Sequence, residues 1–114
     1  MSVPSAQGKW SIRFYTTGRG SSPALEYLNA LSPKERAEAD RSLALLQEFG
    51  VDVGLPHARP LRGKLWELRP GAHRLLYFAF VEQTFIILHA YHKQTGKAPE
   101  REIALALKRM AEYL

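Results

Sequence analysis

The sequence predicts an α+β domain built from an N-terminal strand, a two-helix hairpin, an antiparallel meander of strands and a C-terminal helix. Three observations carry this. Apolar and polar residues alternate near the start, the period of two that marks a strand, and short runs dense in aromatic and aliphatic residues, separated by turn signals, follow in the second half. Two Ser-Pro pairs open helical stretches between these regions. The final segment repeats apolar residues at helical spacing. The order places helices on one face of a mostly antiparallel sheet of four or five strands, within a single domain of 114 residues.

Residues 1–8 read as a loose leader. Trp10, Ile12 and Phe14 then alternate with Ser11, Arg13 and Tyr15 as a half-buried strand. Ser22-Pro23 places a cap donor before a proline whose missing N–H costs nothing at the first helical position, and Leu25, Leu28 and Leu31 give the helix one apolar stripe. Ser32-Pro33-Lys34-Glu35 has capping-box spacing, with Glu35 able to reach back to the cap N–H. This second helix buries Ala39, Leu43, Leu46 and Phe49, and Gly50 ends it.

Pro56–Leu61 reads as a linking segment. Leu65–Arg69, Arg74–Val81 and Thr84–His92 read as strands, turned at Pro70-Gly71 and Glu82-Gln83. Gln94–Ala98 is a loop carrying Lys97. Pro99 starts the last helix, whose face is Ile103, Ala106, Leu107, Met110, Ala111 and Leu114. Its acids lie in the first turn (Glu100, Glu102) and its bases near the end (Lys108, Arg109), as the helix dipole favours.

Composition narrows the function classes. The chain has no cysteine, which excludes disulfides, zinc-thiolate sites and cysteine nucleophiles and fits a reducing cytoplasm. The N-terminal stretch shows no apolar core of a signal peptide, and no apolar run reaches membrane-spanning length. Sixteen Lys and Arg against eleven Asp and Glu give a net charge of +5, which points to a polyanionic partner, with nucleic acid ahead of a membrane.

The charge is concentrated. Arg59, Arg62, Lys64, Arg69 and Arg74 lie between His57 and Arg74 with Glu67 as the one acid, and His89, His92 and Lys93 follow on the last strand. Neighbouring antiparallel strands bring such groups to one side of a sheet, where guanidinium groups grip phosphate with paired hydrogen bonds. Trp66, Tyr77 and Tyr91 interleave with the charges. Trp66 and Tyr77 are core residues by default, whereas Tyr91 shares strand parity with Lys93.

Metal hydrolysis calls for clustered carboxylates or closely spaced histidines. His89 and His92 are the one close pair, and their odd spacing points them to opposite faces of a strand. His57 and His73 read as loop residues. No HExxH, glycine-rich phosphate loop or nucleophile elbow is present. The chemistry these residues favour is metal-free and cofactor-free phosphoryl transfer on RNA. There the substrate supplies its own 2′-hydroxyl nucleophile, and His, Lys, Arg, Glu and Tyr share positioning and proton transfer.

Leu65-Trp66-Glu67-Leu68-Arg69, Arg74-Leu75-Leu76-Tyr77, His89 through Pro99, and Glu102-Ile103-Ala104 together resemble the phage-related branch of the HigB toxins, within the RelE/ParE superfamily. The likeness runs over residues 10–112. It implies a small RelE-like toxin that cleaves translated mRNA in the ribosomal A site and is neutralised by a helix-turn-helix antitoxin, with no metal and no membrane involved. Arg74 resembles the arginine that grips the scissile phosphate, and Lys93 the basic residue ending the last strand. His92-Lys93 stands where the family has a lysine pair, and Tyr91 where it has phenylalanine. The expected catalytic set is Arg74, His92, Lys93 and Glu67, with His92 as a proton-transfer group. Glu67 is read either as general base or as an ion-pair partner of Arg69 or Arg74. Arg62, Lys64, Arg69, Tyr91 and Lys97 are the expected RNA contacts. Two rival functions stay open on sequence: a ParE-like poison of DNA gyrase and a non-catalytic RNA- or protein-binding module.

Overall fold

The computed structural model describes residues 9–114, so the leader expected at residues 1–8 lies outside it. Five strands form one sheet in the order β1-β5-β4-β3-β2: β1 (Ser11–Phe14), β2 (Ala58–Arg62), β3 (Leu65–Leu68), β4 (His73–Phe80) and β5 (Thr84–His92). Strands β2 to β5 form the antiparallel meander. β1 joins the other edge parallel to β5, with Ile12 opposite Phe85. The helices are α1 (Pro23–Asn29), α2 (Pro33–Phe49) and α3 (Glu100–Ala111). Among the described residues, no helix is long and apolar enough to cross a membrane.

The helices occupy both faces of the sheet, correcting the one-face expectation. On one face Ala24 and Leu28 of α1 and Ala39 and Leu46 of α2 pack on Leu68, Leu75, Tyr77, Phe85 and Ile87. On the other, Ile103, Ala106 and Met110 of α3 pack on Leu65, Leu76, Phe78, Ile86 and Leu88. Both faces are therefore covered at β4 and β5, whose near-continuous burial matches their unbroken apolar runs. Nothing in the α3 periodicity says which face it chooses.

Local differences have local causes. Pro56–Leu61 is not wholly a linker, because residues from Ala58 pair with β3. β2 is an edge strand with an irregular register between Pro60 and Arg62, which is where a proline is tolerated in a sheet. Ser32 accepts the Glu35 N–H at 3.2 Å, but the Glu35 carboxylate runs to His73 instead of back to the cap. Ser22 makes no cap bond; its hydroxyl pairs with Thr16. Phe49 is exposed, because the Trp10 indole, stacked on Phe85 at 4.3 Å, takes the space beside the end of α2. Gly50 there has φ +60, and a Cβ would run into that indole.

A bulge bends the meander. Tyr77 pairs with Ile87 and Leu76 with His89, leaving Leu88 as the extra residue of β5. Leu88 and His89 consequently both face α3, and Arg109 donates to the freed Leu88 carbonyl at 2.8 Å.

Candidate functional site: a basic cleft at one end of the sheet

The antiparallel register places Arg59 (β2) opposite Glu67 (β3), Glu67 opposite Leu76, and Arg74 (β4) opposite Tyr91 (β5). Arg59, Glu67, Arg74 and Tyr91 thus gather on the α3 face at one end of the sheet. The connection from β5 to α3 closes around them, and the resulting cleft also takes in Arg69, Lys93, Gln94, Lys97 and Pro99.

Glu67 is its centre. Its side chain is 2% exposed, and Oε2 receives Arg59 Nε at 2.9 Å, with Arg69 Nε at 3.6 Å and Arg74 Nε at 3.9 Å. Among the described residues no other carboxylate lines the cleft, so five cationic side chains face one anion. That surplus is what a polyanion neutralises on binding. Arg69 Nε is the one buried side-chain nitrogen or oxygen among the described residues without a hydrogen-bond partner, and such groups need an explanation in a well-packed protein.

Arg74 is held rigidly. Its NH1 donates to the carbonyls of Gly71 at 2.9 Å and His73 at 2.8 Å, so the turn before β4 fixes the guanidinium. Burial pulls its pKa down, and Glu67 acts in the opposite sense. NH2 makes no hydrogen bond among the described residues. Tyr91 is buried, and its phenol is pushed up to about 12, first by that burial and then by Glu67 and Glu102. At neutral pH it is a donor.

Of the nine residues expected at the site, the cleft brings together Glu67, Arg69, Arg74, Tyr91, Lys93 and Lys97. His92 lies elsewhere: it faces the α1/α2 side, its ring edge-on to His73 at 5.3 Å, with Nδ1 3.0 Å from the Lys93 carbonyl oxygen. Arg62 is exposed and paired with Glu100 at 2.6 Å. Lys64 sits at the rim of an apolar cavity of about 300 Å³ on the α1/α2 side, beside Trp66, Tyr77 and Phe85. His73 is no loop residue. It opens β4, is 3% exposed, and is bonded to Tyr27 Oη at 2.7 Å and Glu35 at 2.6 Å. Arg59 was the omission. Its signal was its place in the basic run, but a segment read as a linker has no faces to assign.

Residues 26–111 match the family described as phage-derived protein Gp49-like (DUF891). No curated protein matches the chain. Among solved structures, it is similar to the toxin–antitoxin complex RelBE2 from Mycobacterium tuberculosis. The TM-score is 0.54 and the identity 26%, over 75% of this chain and 92% of that one. It is also similar to a double arginine-to-alanine variant of the E. coli toxin RelE in the free state, with a TM-score of 0.52 and 20% identity over 90% and 98% of the two chains; that likeness concerns the fold.

Proposed function

Because the chain belongs to the phage-derived Gp49-like family (DUF891) and carries the RelE fold, we propose that it is the toxin of a type II toxin–antitoxin pair, of the phage-related HigB kind, and a metal-free endoribonuclease acting on mRNA in the ribosomal A site. The observation that carries this reading is the cleft itself, with three arginines and two lysines gathered around one buried carboxylate. Its likeness to the toxin of a toxin–antitoxin complex supports a protein antitoxin as partner, which we take to be of the helix-turn-helix type.

In this reading the 2′-hydroxyl oxygen attacks the adjacent phosphorus while the bond to the 5′-oxygen breaks, leaving a 2′,3′-cyclic phosphate. Arg74, Arg69 and Arg59 hold the phosphate and offset the charge that builds on it; such preorganised electrostatics is usually the largest contribution to catalysis. Glu67 Oε2 is committed to the arginines, whereas Oε1 makes no hydrogen bond among the described residues, and in this reading it accepts the 2′-proton. Lys93, Lys97 and the Tyr91 phenol are donors for the leaving oxygen. DNA, lacking the 2′-hydroxyl, is not a substrate.

The test is controlled induction in bacteria of wild type beside Arg74→Ala, with mRNA 5′ ends mapped across the transcriptome. New ends at fixed codon positions, absent in the variant, are expected. Growth arrest with intact message overturns the nuclease and returns gyrase poisoning to the front.

A further inference from the structure

Lys93 and Lys97 both ride on the connection between β5 and α3. Among the described residues few bonds hold that connection: Lys93 N–H donates to Ala72 O at 2.7 Å, His92 Nδ1 lies 3.0 Å from the Lys93 carbonyl oxygen, and Gln94 Nε2 donates to the His92 carbonyl at 3.3 Å. Its far end is the first turn of α3, where two carboxylates reach back to the sheet. Glu100 meets Arg62 at 2.6 Å, but those side chains are 74% and 48% exposed, and an ion pair in such a setting contributes little. Glu102 Oε1 meets His89 Nε2 at 2.5 Å, with side chains 17% and 14% exposed. Of the two ion pairs, the shielded one is therefore His89–Glu102, next to the apolar anchor of Ile103.

This pair also backs onto the cleft. The His89 ring stacks on the Tyr91 ring, centroids 5.7 Å apart and planes 23° from parallel. The charge of Glu102 helps raise the Tyr91 phenol. His89 faces α3 because Leu88 is bulged; in regular alternation with Leu88 it would face the opposite side. Neither residue lines the cleft.

We propose that His89 and Glu102 are positioning residues: their bond pins the N-terminus of α3 to β5, and so sets where Lys93, Lys97 and Tyr91 stand relative to the arginine cluster. Their effect on cleavage rests on the ribonuclease reading above, whereas their effect on the connection does not. Misplacing a catalytic group by about 1 Å can cost on the order of a hundredfold in rate, so a loosened connection should register in activity.

The experiment compares Glu102→Ala and His89→Ala with Glu102→Gln and His89→Gln, which retain hydrogen-bonding capacity. Native-state trypsin cleavage after Lys93 and Lys97 is followed by mass spectrometry, beside cleavage of translated mRNA. In the alanine variants, trypsin is expected to cut roughly tenfold faster at these two bonds, as local opening becomes easier while the core stays closed. kcat should fall more than KM rises, as expected when groups that act on the leaving oxygen are misplaced, and the glutamine variants should recover most of both effects. Folded alanine variants cut at the wild-type rate would overturn the proposal, as would glutamine variants indistinguishable from alanine. Should alanine unfold the chain, Glu102→Asp, which keeps the charge but shortens the reach, is read in its place. If wild type cuts no mRNA, the ribonuclease reading fails alone and the trypsin comparison still decides.

Discussion

Arg59 Nε stands 2.9 Å from Glu67 Oε2, and the same oxygen lies within 4 Å of the Nε atoms of Arg69 and Arg74. One buried carboxylate thus gathers three guanidinium groups that would otherwise repel one another. Glu67→Ala should destabilise the fold by roughly 3 kcal/mol, the low end for a broken buried pair, because the side chains of Arg59 and Arg69 are 36% and 28% exposed and water relieves part of the loss. Inorganic phosphate should stabilise this variant more than wild type by entering between the freed arginines. Urea midpoints with and without phosphate check this; equal shifts in both proteins would mean that the guanidiniums do not converge on one anion.

Arg74→Lys tests geometry apart from charge. The lysine keeps a cation but has no fork to bond the Gly71 and His73 carbonyls while facing the cleft. Cleavage of translated mRNA should fall by about a hundredfold, the scale of losing one aligned transition-state donor. Near-normal cleavage by a folded Arg74→Lys protein would reduce Arg74 to a source of charge.

The fold was largely legible in the sequence where neighbours decide structure: β5 has the boundaries expected after the Glu82-Gln83 turn, and α2 runs between its Ser-Pro start and Gly50. What escaped was set by distant partners. The parallel pairing of β1 with β5 and the face chosen by α3 depend on contacts far apart in the chain. Parity puts Tyr91 and Lys93 on one side of β5, and both line the cleft, whereas Arg74 entered the expected set through the family resemblance, as did His92, which the same parity turns to the other face; the candidate site was illegible where the strand itself was hidden. Pro60 masked β2 and with it Arg59, while the bulge at Leu88 changed the face of His89 without any marker such as glycine.

His92 sits on the wrong face to share chemistry with Arg74. Successive β5 side chains alternate, Tyr91 entering the cleft and His92 packing against His73. His92→Gln should therefore cleave translated mRNA within about twofold of wild type, the range of surface changes remote from a site. A loss approaching that of Arg74→Ala would require the substrate to wrap around the sheet edge and engage both faces.

Tyr91 gives the cleft a pH signature. Its phenol titrates near 12 in the folded chain, against about 10 for an exposed tyrosine. The folded state thus holds this proton more tightly than the unfolded state does. The stabilisation is complete below pH 10 and is lost as pH rises from 10 to 12, on the order of 2 kcal/mol from this group. Tyr77, raised further still by burial, adds to the same alkaline loss, so the measurement must isolate Tyr91. The phenolate absorbance of wild type minus that of Tyr91→Phe should rise with a midpoint near 12, and stability between pH 10 and 12 should fall less steeply in the variant. A difference titration centred near 10 would mean that Tyr91 is solvated, and would remove it as a buried wall of the cleft. A midpoint near 12 would keep Tyr91 in the buried wall of the cleft, its phenol shielded from water beside Glu67 and Glu102.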